Sequence, residues 1–395
     1  MKIKKLPLLA QIIAAIILGV ICGYLFPEWL SRIFATINGI FSNLLSFIIP
    51  LLILGLIAPG IADVGKNAGR LLAATAAIAY TFTLFAGFFT FFVCEQIYPS
   101  LIGGETLDAV TESTTALAPY FTIDMPPLFG VMSALIAAFL LGVGMTAIKG
   151  TALRNTMGDF KSIVVMSIEK IIVPFLPLYI FGIFLSMTQS GQIAGVFAVF
   201  IKIIVLIFAI TIIILLLQYS IAGAVSKKNP LKMLKTMMVA YFTALGTQSS
   251  AATIPVTLAQ TKKNGVREDI ADFVIPLCAT IHLSGSTLKI VACSLAIMML
   301  NGMQYDTLTM AGFICMLGVT MVAAPGVPGG AIMASLGLLE TMLGFDQTAL
   351  GLMIALYIAM DSFGTATNVT GDCAVAVIIE QLDKKESKER SQQIS

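Results

Sequence analysis

The sequence predicts an all-α polytopic membrane protein with eight transmembrane helices and two oppositely oriented re-entrant helical hairpins. Three observations predict this fold class. First, 58% of the 395 residues are hydrophobic and 11% are charged, whereas soluble domains carry roughly 25% charged residues. Second, ten long runs of the chain are free or nearly free of charge. Third, the basic residues between these runs cluster in an order that eight crossings and two returns explain.

The ten apolar runs are each long enough to span a bilayer, which takes about 20 residues. The first run lacks the small-residue cleavage pattern of a signal peptide, so we interpret it as the first transmembrane helix. The runs are 6–26, 33–61, 71–94, 125–148, 171–201, 203–226, 236–261, 273–300, 307–339 and 347–379.

Clusters of Lys and Arg indicate which ends of these runs face the cytoplasm, because basic residues favour the cytoplasmic side of a membrane. The loop 95–124 holds five acidic residues and no basic residue, which is typical of the outside. The six basic clusters lie at 2–5, 66–70, 149–161, 227–235, 262–267 and 384–390. They predict a cell-membrane protein with both termini in the cytoplasm.

Two of the runs do not fit a single crossing. The run 236–261 has basic clusters at both ends and a middle, 243–255, that is rich in Gly, Ser and Thr. The run 307–339 has acidic residues at both ends and the turn sequence APGVPGG at 324–330. We interpret them as hairpins that enter from the cytoplasm and from the outside, with tips that meet near the midplane. Inverted repeats of this kind are typical of secondary transporters.

The segment 357–374 places two carboxylates inside the last apolar run. On an intact helix four polar side chains would fall within roughly 40° of one another. They are Asp361, Thr365, Asn368 and Asp372. Ionisable residues at membrane depth are functional candidates, and Gly364 and Gly371 are expected to interrupt the helix where backbone could approach a ligand. The alternative interpretation is a polar clamp between helices.

Four motifs follow one another in the second half of the chain: QSSAATIPVTL (248–258), IPLCATIHLSGSTL (275–288), PGVPGGAIM (325–333) and NVTGD (368–372). Together they resemble the dicarboxylate/amino acid:cation symporter family, which includes the glutamate transporters and bacterial aspartate and serine/threonine transporters. The resemblance implies a homotrimer in which a transport domain moves like an elevator against a scaffold. It assigns 1–70 and 125–201 to the scaffold, 71–94 and 202–382 to the transport domain, and 383–395 to a cytoplasmic tail.

The resemblance also implies the substrate contacts. Asp361 would pair with the substrate's amino group, and Asn368 would hold its carboxylate together with the backbone of the first hairpin. The substrate-binding residues implied are Ser249, Ser250, Lys289, Val327, Pro328, Gly329, Asp361, Gly364, Thr365 and Asn368.

Two sodium sites are implied in the same way. One combines Asp372 and Asn368 with backbone carbonyls at Cys278 and His282. The other combines Thr280 with carbonyls at the end of the first helix of the second hairpin, at Met321, Val322 and Ala324. Oxygen ligands suit a hard cation such as Na⁺.

Departures from the family pattern bear on the substrate. Gly364 and Gln248 stand where members that bind acidic substrates, or many prokaryotic members, carry arginine. The absence of a bidentate carboxylate clamp favours a small neutral amino acid. Lys289 could supply the missing charge, or it could extend toward the outer interface, or it could pair with Asp361. The last arrangement would favour a dicarboxylate that has no amine.

The coupling ion has an alternative as well. The family's NMDGT motif reads HLSGS here, so the aspartate expected at Ser284 is missing and a third sodium site is not expected. His282, the only histidine, is either a neutral hydrogen-bond partner or a proton-linked group. The alternative function is a proton-coupled symporter of a dicarboxylate or acidic amino acid that uses Lys289 and His282.

Other interpretations have less support. Ser286 and Lys289 have the spacing of a serine/lysine nucleophile pair, but no companion motif of an intramembrane hydrolase accompanies them. A channel is a further alternative. The six cysteines lack CxxC spacing, so we expect free thiols and no structural metal. We expect no organic cofactor and no nucleic-acid partner; the expected partners are a small-molecule substrate, the lipid bilayer and two further copies of the chain.

Overall fold

The structure is a computed structural model that describes residues 7–66, 70–102, 118–191, 193–325 and 328–394. Within these ranges the chain is helical with short connections and contains no β-strand. The prediction of an all-α fold is therefore confirmed.

Fifteen α-helices occur in the described ranges. The first seven are α1 (Leu8–Leu25), α2 (Glu28–Lys66), α3 (Arg70–Ile102), α4 (Val131–Ala147), α5 (Ala152–Ser167), α6 (Val173–Gln189) and α7 (Ile193–Ser226), with a π-helical turn (Ile168–Ile172) joining α5 to α6. The other eight are α8 (Pro230–Thr247), α9 (Ser250–Lys263), α10 (Glu268–Ile281), α11 (Ser284–Leu300), α12 (Thr307–Ala323), α13 (Gly330–Leu343), α14 (Gln347–Ala359) and α15 (Asp361–Ile394).

Seven helical stretches of the described chain are long and apolar enough to cross a membrane. They cover 8–25, 28–62, 71–102, 152–189, 199–226, 268–300 and 361–384. The protein is therefore a multi-pass membrane protein. The predicted span 125–148 contains a shorter helix, α4, because residues 118–130 are not helical.

Two predicted boundaries are wrong. The run 171–201 does not form one helix, because α6 ends at Gln189 and Gly191 takes a left-handed conformation with φ 76°. The search for charge-free runs missed this break because its polar residues, 188–192, carry no charge. The predicted domain boundary at 201/202 falls inside α7. The loop predicted from residue 95 begins later, at 103 or beyond. Helix α3 continues because Tyr98 is buried and its hydroxyl donates to the Ala292 carbonyl at 3.1 Å.

The two runs predicted as hairpins each form two helices that follow one another after a few residues. We call α8 and α9 hairpin one, and α12 and α13 hairpin two. The turn of hairpin one contains Gln248, a non-glycine residue in the left-handed region (φ 54°). The turn of hairpin two ends at Gly329, which has φ 73°. Both pairs are thus helix–turn–helix units, while their course through the membrane stays a prediction.

The last two predicted transmembrane runs are broken helices. Residues His282 and Leu283 separate α10 from α11, and Met360 separates α14 from α15. The prediction that Gly364 and Gly371 interrupt the helix is wrong, since both lie inside α15. They serve close packing instead, as described below.

The helices pack in two groups. In the first, α2 packs against α4 and α5, and α1 packs against α6. In the second, α15 packs against α7, α8, α9, α10 and α11, while α3 packs against α11 and α12. Contacts between the groups come mainly from hairpin two against α2 and from α14 against α1 and α6. Most of the predicted site residues belong to the second group.

Candidate functional site

Four helices begin and four helices end around the first turns of α15. The turn of hairpin one reaches α15 through Gln248, whose Nε2 donates to Ser362 Oγ at 3.0 Å. The turn of hairpin two reaches it through Gly329, whose N–H donates to Asp361 Oδ2 at 2.8 Å. The N-terminus of α11 follows, with the Gly285 N–H 2.7 Å from Asn368 Oδ1. Helix N-termini favour anions and helix C-termini favour cations, so the arrangement suits a carboxylate and a metal cation together.

A buried ion pair lies where these elements meet. Lys289 Nζ is 3.4 Å from Asp361 Oδ1 and 3.2 Å from the Met360 carbonyl. It also lies 3.9 Å above the centre of the Tyr357 ring. Lys289 is 1% exposed, so the predicted alternative in which it extends to the outer interface is wrong. Pairing with Asp361 is the arrangement that the structure shows.

Gly364 makes room for this lysine. A Cβ atom at position 364 would lie 2.2 Å from both Nζ and Cε of Lys289. No side chain larger than hydrogen fits there without moving the lysine. The ammonium group of Lys289 thus occupies the space into which a side chain at 364 would project. The glycine at 364 and the lysine at 289, which the sequence analysis treated as two separate features, therefore depend on each other.

Asn368 is held in a hydrogen-bonded network between α15 and α11. Its Oδ1 accepts the Gly285 N–H, and its Nδ2 donates to Ser286 Oγ at 3.1 Å. The Tyr357 hydroxyl lies 3.0 Å from the same Ser286 oxygen. A substrate carboxylate would therefore meet an amide that is already oriented by two neighbours.

The hairpin residues predicted for the substrate lie beside this network. Ser249 caps α9, its Oγ accepting the Ala252 N–H at 3.3 Å, and Ser250 is buried at the start of the helix. Thr365 is buried one turn along α15 from Asp361. Pro328 is half-buried next to Gly329, and Val327 lies outside the described residues.

A second buried pair lies one turn further along α15 than Asn368. His282 Nδ1 is 2.9 Å from Asp372 Oδ1, and both side chains are at most 1% exposed. Gln218 Nε2 lies 3.5 Å from His282 Nε2 and donates to Ser284 Oγ at 3.2 Å. The two ring nitrogens of His282 thus face a carboxylate and an amide, and both predicted roles of His282 stay predictions.

This pair changes the first predicted sodium site. One oxygen of Asp372 faces the imidazole, and the side-chain oxygen of Asn368 accepts a backbone N–H, so a cation there would depend on the other Asp372 oxygen and on carbonyls near Cys278 and His282. A Cβ at Gly371 would lie 2.6 Å from both His282 Cε1 and Gln218 Oε1. The glycine therefore allows the imidazole to pack against α15.

The second predicted sodium site lies at the end of α12. Met321, Val322 and Ala324 surround this C-terminus, where the last carbonyls of the helix lack intrahelical partners. One of them is used, because the Ala324 N–H donates to the Met321 carbonyl at 3.3 Å. Thr280 stands in the last turn of α10, which packs against α12. The oxygen donors at this end fit a hard cation.

Some residues of the site were not predicted. Ser286 and Tyr357 orient Asn368 and Lys289, Ser362 holds hairpin one, and Gln218 faces His282. Gln218 Oε1 is buried and finds no hydrogen-bond partner among the described residues. The sequence did contain a signal for Gln218, because it is a strongly polar side chain within the otherwise apolar run 203–226.

Comparison with known proteins identifies the family. The chain matches the model of the sodium:dicarboxylate symporter family over residues 8–382. It belongs to that family. Members of the family are transporters rather than enzymes, so the hydrolase alternative is wrong. The geometry agrees, since Ser286 contacts Asn368 and Tyr357 while Lys289 pairs with Asp361.

Relatives within the family include amino acid transporters. The serine/threonine transporter SstT of Acinetobacter baylyi is 24% identical over 96% of this chain and 98% of its own length. The excitatory amino acid transporter 1 of Rattus norvegicus is 31% identical over 63% of this chain. That match covers 46% of the rat protein, so the chain corresponds to less than half of its length.

Proposed function

We propose that this protein is a sodium-driven symporter that imports a small neutral amino acid. The observation that carries this proposal is the buried Lys289–Asp361 pair, at 3.4 Å, where both hairpin tips meet α15. From the sequence alone we expect this pairing to favour a dicarboxylate that has no amine. The pair, however, places one cation and one anion in the site, so their charges cancel and a dianion gains no net attraction.

A zwitterion complements such a pair. Its ammonium would bind Asp361 and its carboxylate would bind Lys289, and both protein charges would keep a partner. The 3.4 Å separation exceeds the roughly 2.7–2.9 Å of a strong charge-assisted hydrogen bond, so insertion of a substrate would replace a weak direct contact. A free dianion would meet one attractive and one repulsive charge.

The carboxylate would have further donors nearby. The N-terminus of α9 at Ser249 and Ser250 presents backbone N–H groups, and Asn368 presents its amide nitrogen. Ser362 and Thr365 would line the same space. The similarity to a serine/threonine transporter over nearly the whole chain supports a small polar or aliphatic side chain.

Sodium would enter at the end of α12 and beside Asp372. The α12 site is the better supported, because the last carbonyls of a helix lack intrahelical partners and can face a cation. Beside Asp372, a cation would share the carboxylate with the His282 imidazole.

The proposed mechanism is movement of a transport domain against a scaffold within a homotrimer. The scaffold would consist of α1, α2 and α4–α6, and the transport domain of α3 and α7–α15, with both hairpins re-entrant and both termini cytoplasmic. The separation of the helices into two packing groups supports this division. Close approach of small residues supports sliding: a Cβ at Gly60 in α2 would lie 2.8 Å from the Ala323 Cβ.

A dicarboxylate without an amine is the second candidate. It is favoured by one observation, namely that Asp361 already has a cationic partner in Lys289 and a backbone donor in Gly329. In that case the pair would stay closed and the substrate would bind through helix N-termini alone.

Uptake by purified protein in liposomes tests the proposal. Labelled serine, threonine, alanine, aspartate and succinate are offered under an inward sodium gradient, with potassium replacing sodium in matched vesicles. We expect the neutral amino acids to accumulate with sodium alone. Accumulation of succinate without serine would establish the second candidate, and uptake that is equal in both salts would contradict sodium coupling.

A further inference from the structure

The tip of hairpin two and Lys289 are bound to the same carboxylate. Asp361 Oδ2 accepts the N–H of Gly329 at 2.8 Å, and Oδ1 faces Lys289 Nζ at 3.4 Å. Gly329 is the residue that precedes α13 and sets the turn of the hairpin. The position of this tip therefore depends on a carboxylate that is neutralised by an amine of the protein itself.

The groups around the Lys289 ammonium could bind any other primary ammonium equally well. A carboxylate, the Met360 carbonyl and the face of the Tyr357 ring contact it. These are an anion, a neutral acceptor and an aromatic face, which together bind cations well when water is excluded. The α-ammonium of an amino acid has the same charge and the same three N–H donors.

A buried carboxylate without a cation is strongly disfavoured. If Asp361 lost its partner whenever the substrate left, the carboxylate would stay hydrated and water would compete with the Gly329 N–H for Oδ2. Lys289 prevents this, and its flexible four-carbon chain allows the ammonium to move by a few ångströms.

We infer that Lys289 acts as a tethered substitute for the substrate ammonium, which closes hairpin two on the empty transporter. In the loaded state the substrate's ammonium would hold Asp361, and Lys289 would turn to the substrate's carboxylate. In the empty state Lys289 would return to Asp361, so the empty domain could cross back without an exchanged cation. This inference rests on the proposed function for its substrate, and on the structure alone for the closure of the hairpin.

Hydrogen–deuterium exchange on the purified protein without substrate tests the closure. Replacing the lysine, as Lys289→Met, should raise exchange at the hairpin-two tip (residues 328–333) at least tenfold. The hairpin-one tip (248–253) is an internal control, because the neutral Gln248–Ser362 bond holds it. Lys289→Arg keeps the charge and should restore protection, and Lys289→Gln replaces the Met variant if that variant does not fold. Unchanged exchange at 328–333 in the uncharged variants would overturn the inference.

Transport measurements separate the empty step from the loaded step. Net uptake into empty liposomes requires return of the empty domain, whereas exchange against internal substrate does not. We expect Lys289→Met to raise the ratio of the substrate-exchange rate to the net-uptake rate at least tenfold. A matched control is Lys202→Met, since Lys202 lies outside the site and donates to the Leu101 carbonyl at 3.0 Å; its ratio should stay at the wild-type value.

If Lys289→Met reduced substrate exchange and net uptake by the same factor, the inference would be overturned. Absence of sodium-driven uptake in the wild-type protein would overturn the proposed function instead. The exchange of backbone deuterium at hairpin two would still decide the role of Lys289 in that case, because that measurement needs no substrate.

Discussion

The tips of the two hairpins are attached to neighbouring residues of α15 by different chemistry. Hairpin one uses a neutral hydrogen bond from Gln248 to Ser362, and hairpin two uses a backbone N–H of Gly329 bonded to the charged Asp361. A neutral hydrogen bond contributes about 1 kcal/mol and one to a charged group about 1.5–3 kcal/mol. Of the two anchoring bonds, only that of hairpin two therefore involves a charged group.

The backbone of each tip reflects this difference. Gln248 takes a left-handed conformation that is costly for a residue with a Cβ, because its side chain makes the contact. Gly329 takes a similar conformation at no such cost, because its main chain makes the contact. Hairpin one thus has a fixed anchor, and hairpin two has one that depends on electrostatics.

The largest expected effect comes from removing the charge at hairpin two. Asp361→Asn leaves Lys289 as a buried cation without its anion, and breaking a buried pair costs about 3–5 kcal/mol. We expect sodium-driven serine uptake in liposomes to fall at least 100-fold. Ser362→Ala, which changes the neighbouring anchor of hairpin one, is the matched control and should lose much less. Uptake within threefold of wild type in Asp361→Asn would refute the charged anchor.

The next effect comes from crowding the same pair without changing its charge. Gly364→Ala places a methyl group where Lys289 lies, 2.2 Å from its ammonium nitrogen, and should reduce uptake at least tenfold. Gly246→Ala, on hairpin one, is the control because a Cβ there meets nothing within 4 Å. Equal activity of the two variants would show that Lys289 moves freely away from Gly364.

A smaller effect is expected at the neutral anchor. Gln248→Ala removes the bond to Ser362 but keeps the strained backbone, so we expect a loss of about 1 kcal/mol, which is roughly a fivefold lower initial rate of uptake. Gln248→Gly relieves the backbone as well and should recover part of the rate. If the alanine variant were as inactive as Asp361→Asn, the two tips would not differ in the way described.

The smallest effect concerns the N-terminal caps of the first helix of each hairpin. Asp306 caps α12, with Oδ2 accepting the Thr309 hydroxyl at 2.6 Å and Oδ1 its N–H at 2.8 Å. These bonds, the hydroxyl first, lower the pKa of Asp306 from its ordinary value of 3.8. The cap therefore stabilises the fold above pH 3.8 and weakens as the pH falls through the lowered pKa.

The capping residue of α8 in hairpin one is Asn229, a neutral amide that accepts the Lys232 N–H at 3.1 Å. Thermal unfolding should show a destabilisation by Asp306→Ala that diminishes below pH 3.8, while the effect of Asn229→Ala stays constant with pH. Identical pH profiles for the two variants would contradict a charged cap on hairpin two.

Much of the fold could be predicted because hydropathy and basic clusters report directly on membrane crossing. The two hairpins followed from charges at the ends of two runs, and both form helix–turn–helix units. The end of α6 at Gln189 could not be found in this way, because a left-handed glycine in an uncharged stretch leaves no mark on a charge pattern.

The sequence singled out residues of the candidate site but could not show how they are arranged. The sequence identified Lys289 and Gly364 separately, since their contact joins α11 to α15 across 75 positions and depends on tertiary packing. The break in the last run was expected at glycines but occurs at Met360, where Lys289 uses the freed carbonyl. The position of His282 was noted, whereas its pairing with Asp372 required the structure.

The close approach of Lys289 to Gly364 also restricts how the selectivity of this protein could change over time. A mutation that introduces arginine at 364 would collide with the ammonium group before it could bind an acidic side chain. Accommodating it would require Lys289 to move away or to be lost, and loss of the lysine would leave Asp361 without its partner. Positions 289 and 364 would therefore have to change together, which is a form of epistasis that depends on a single contact.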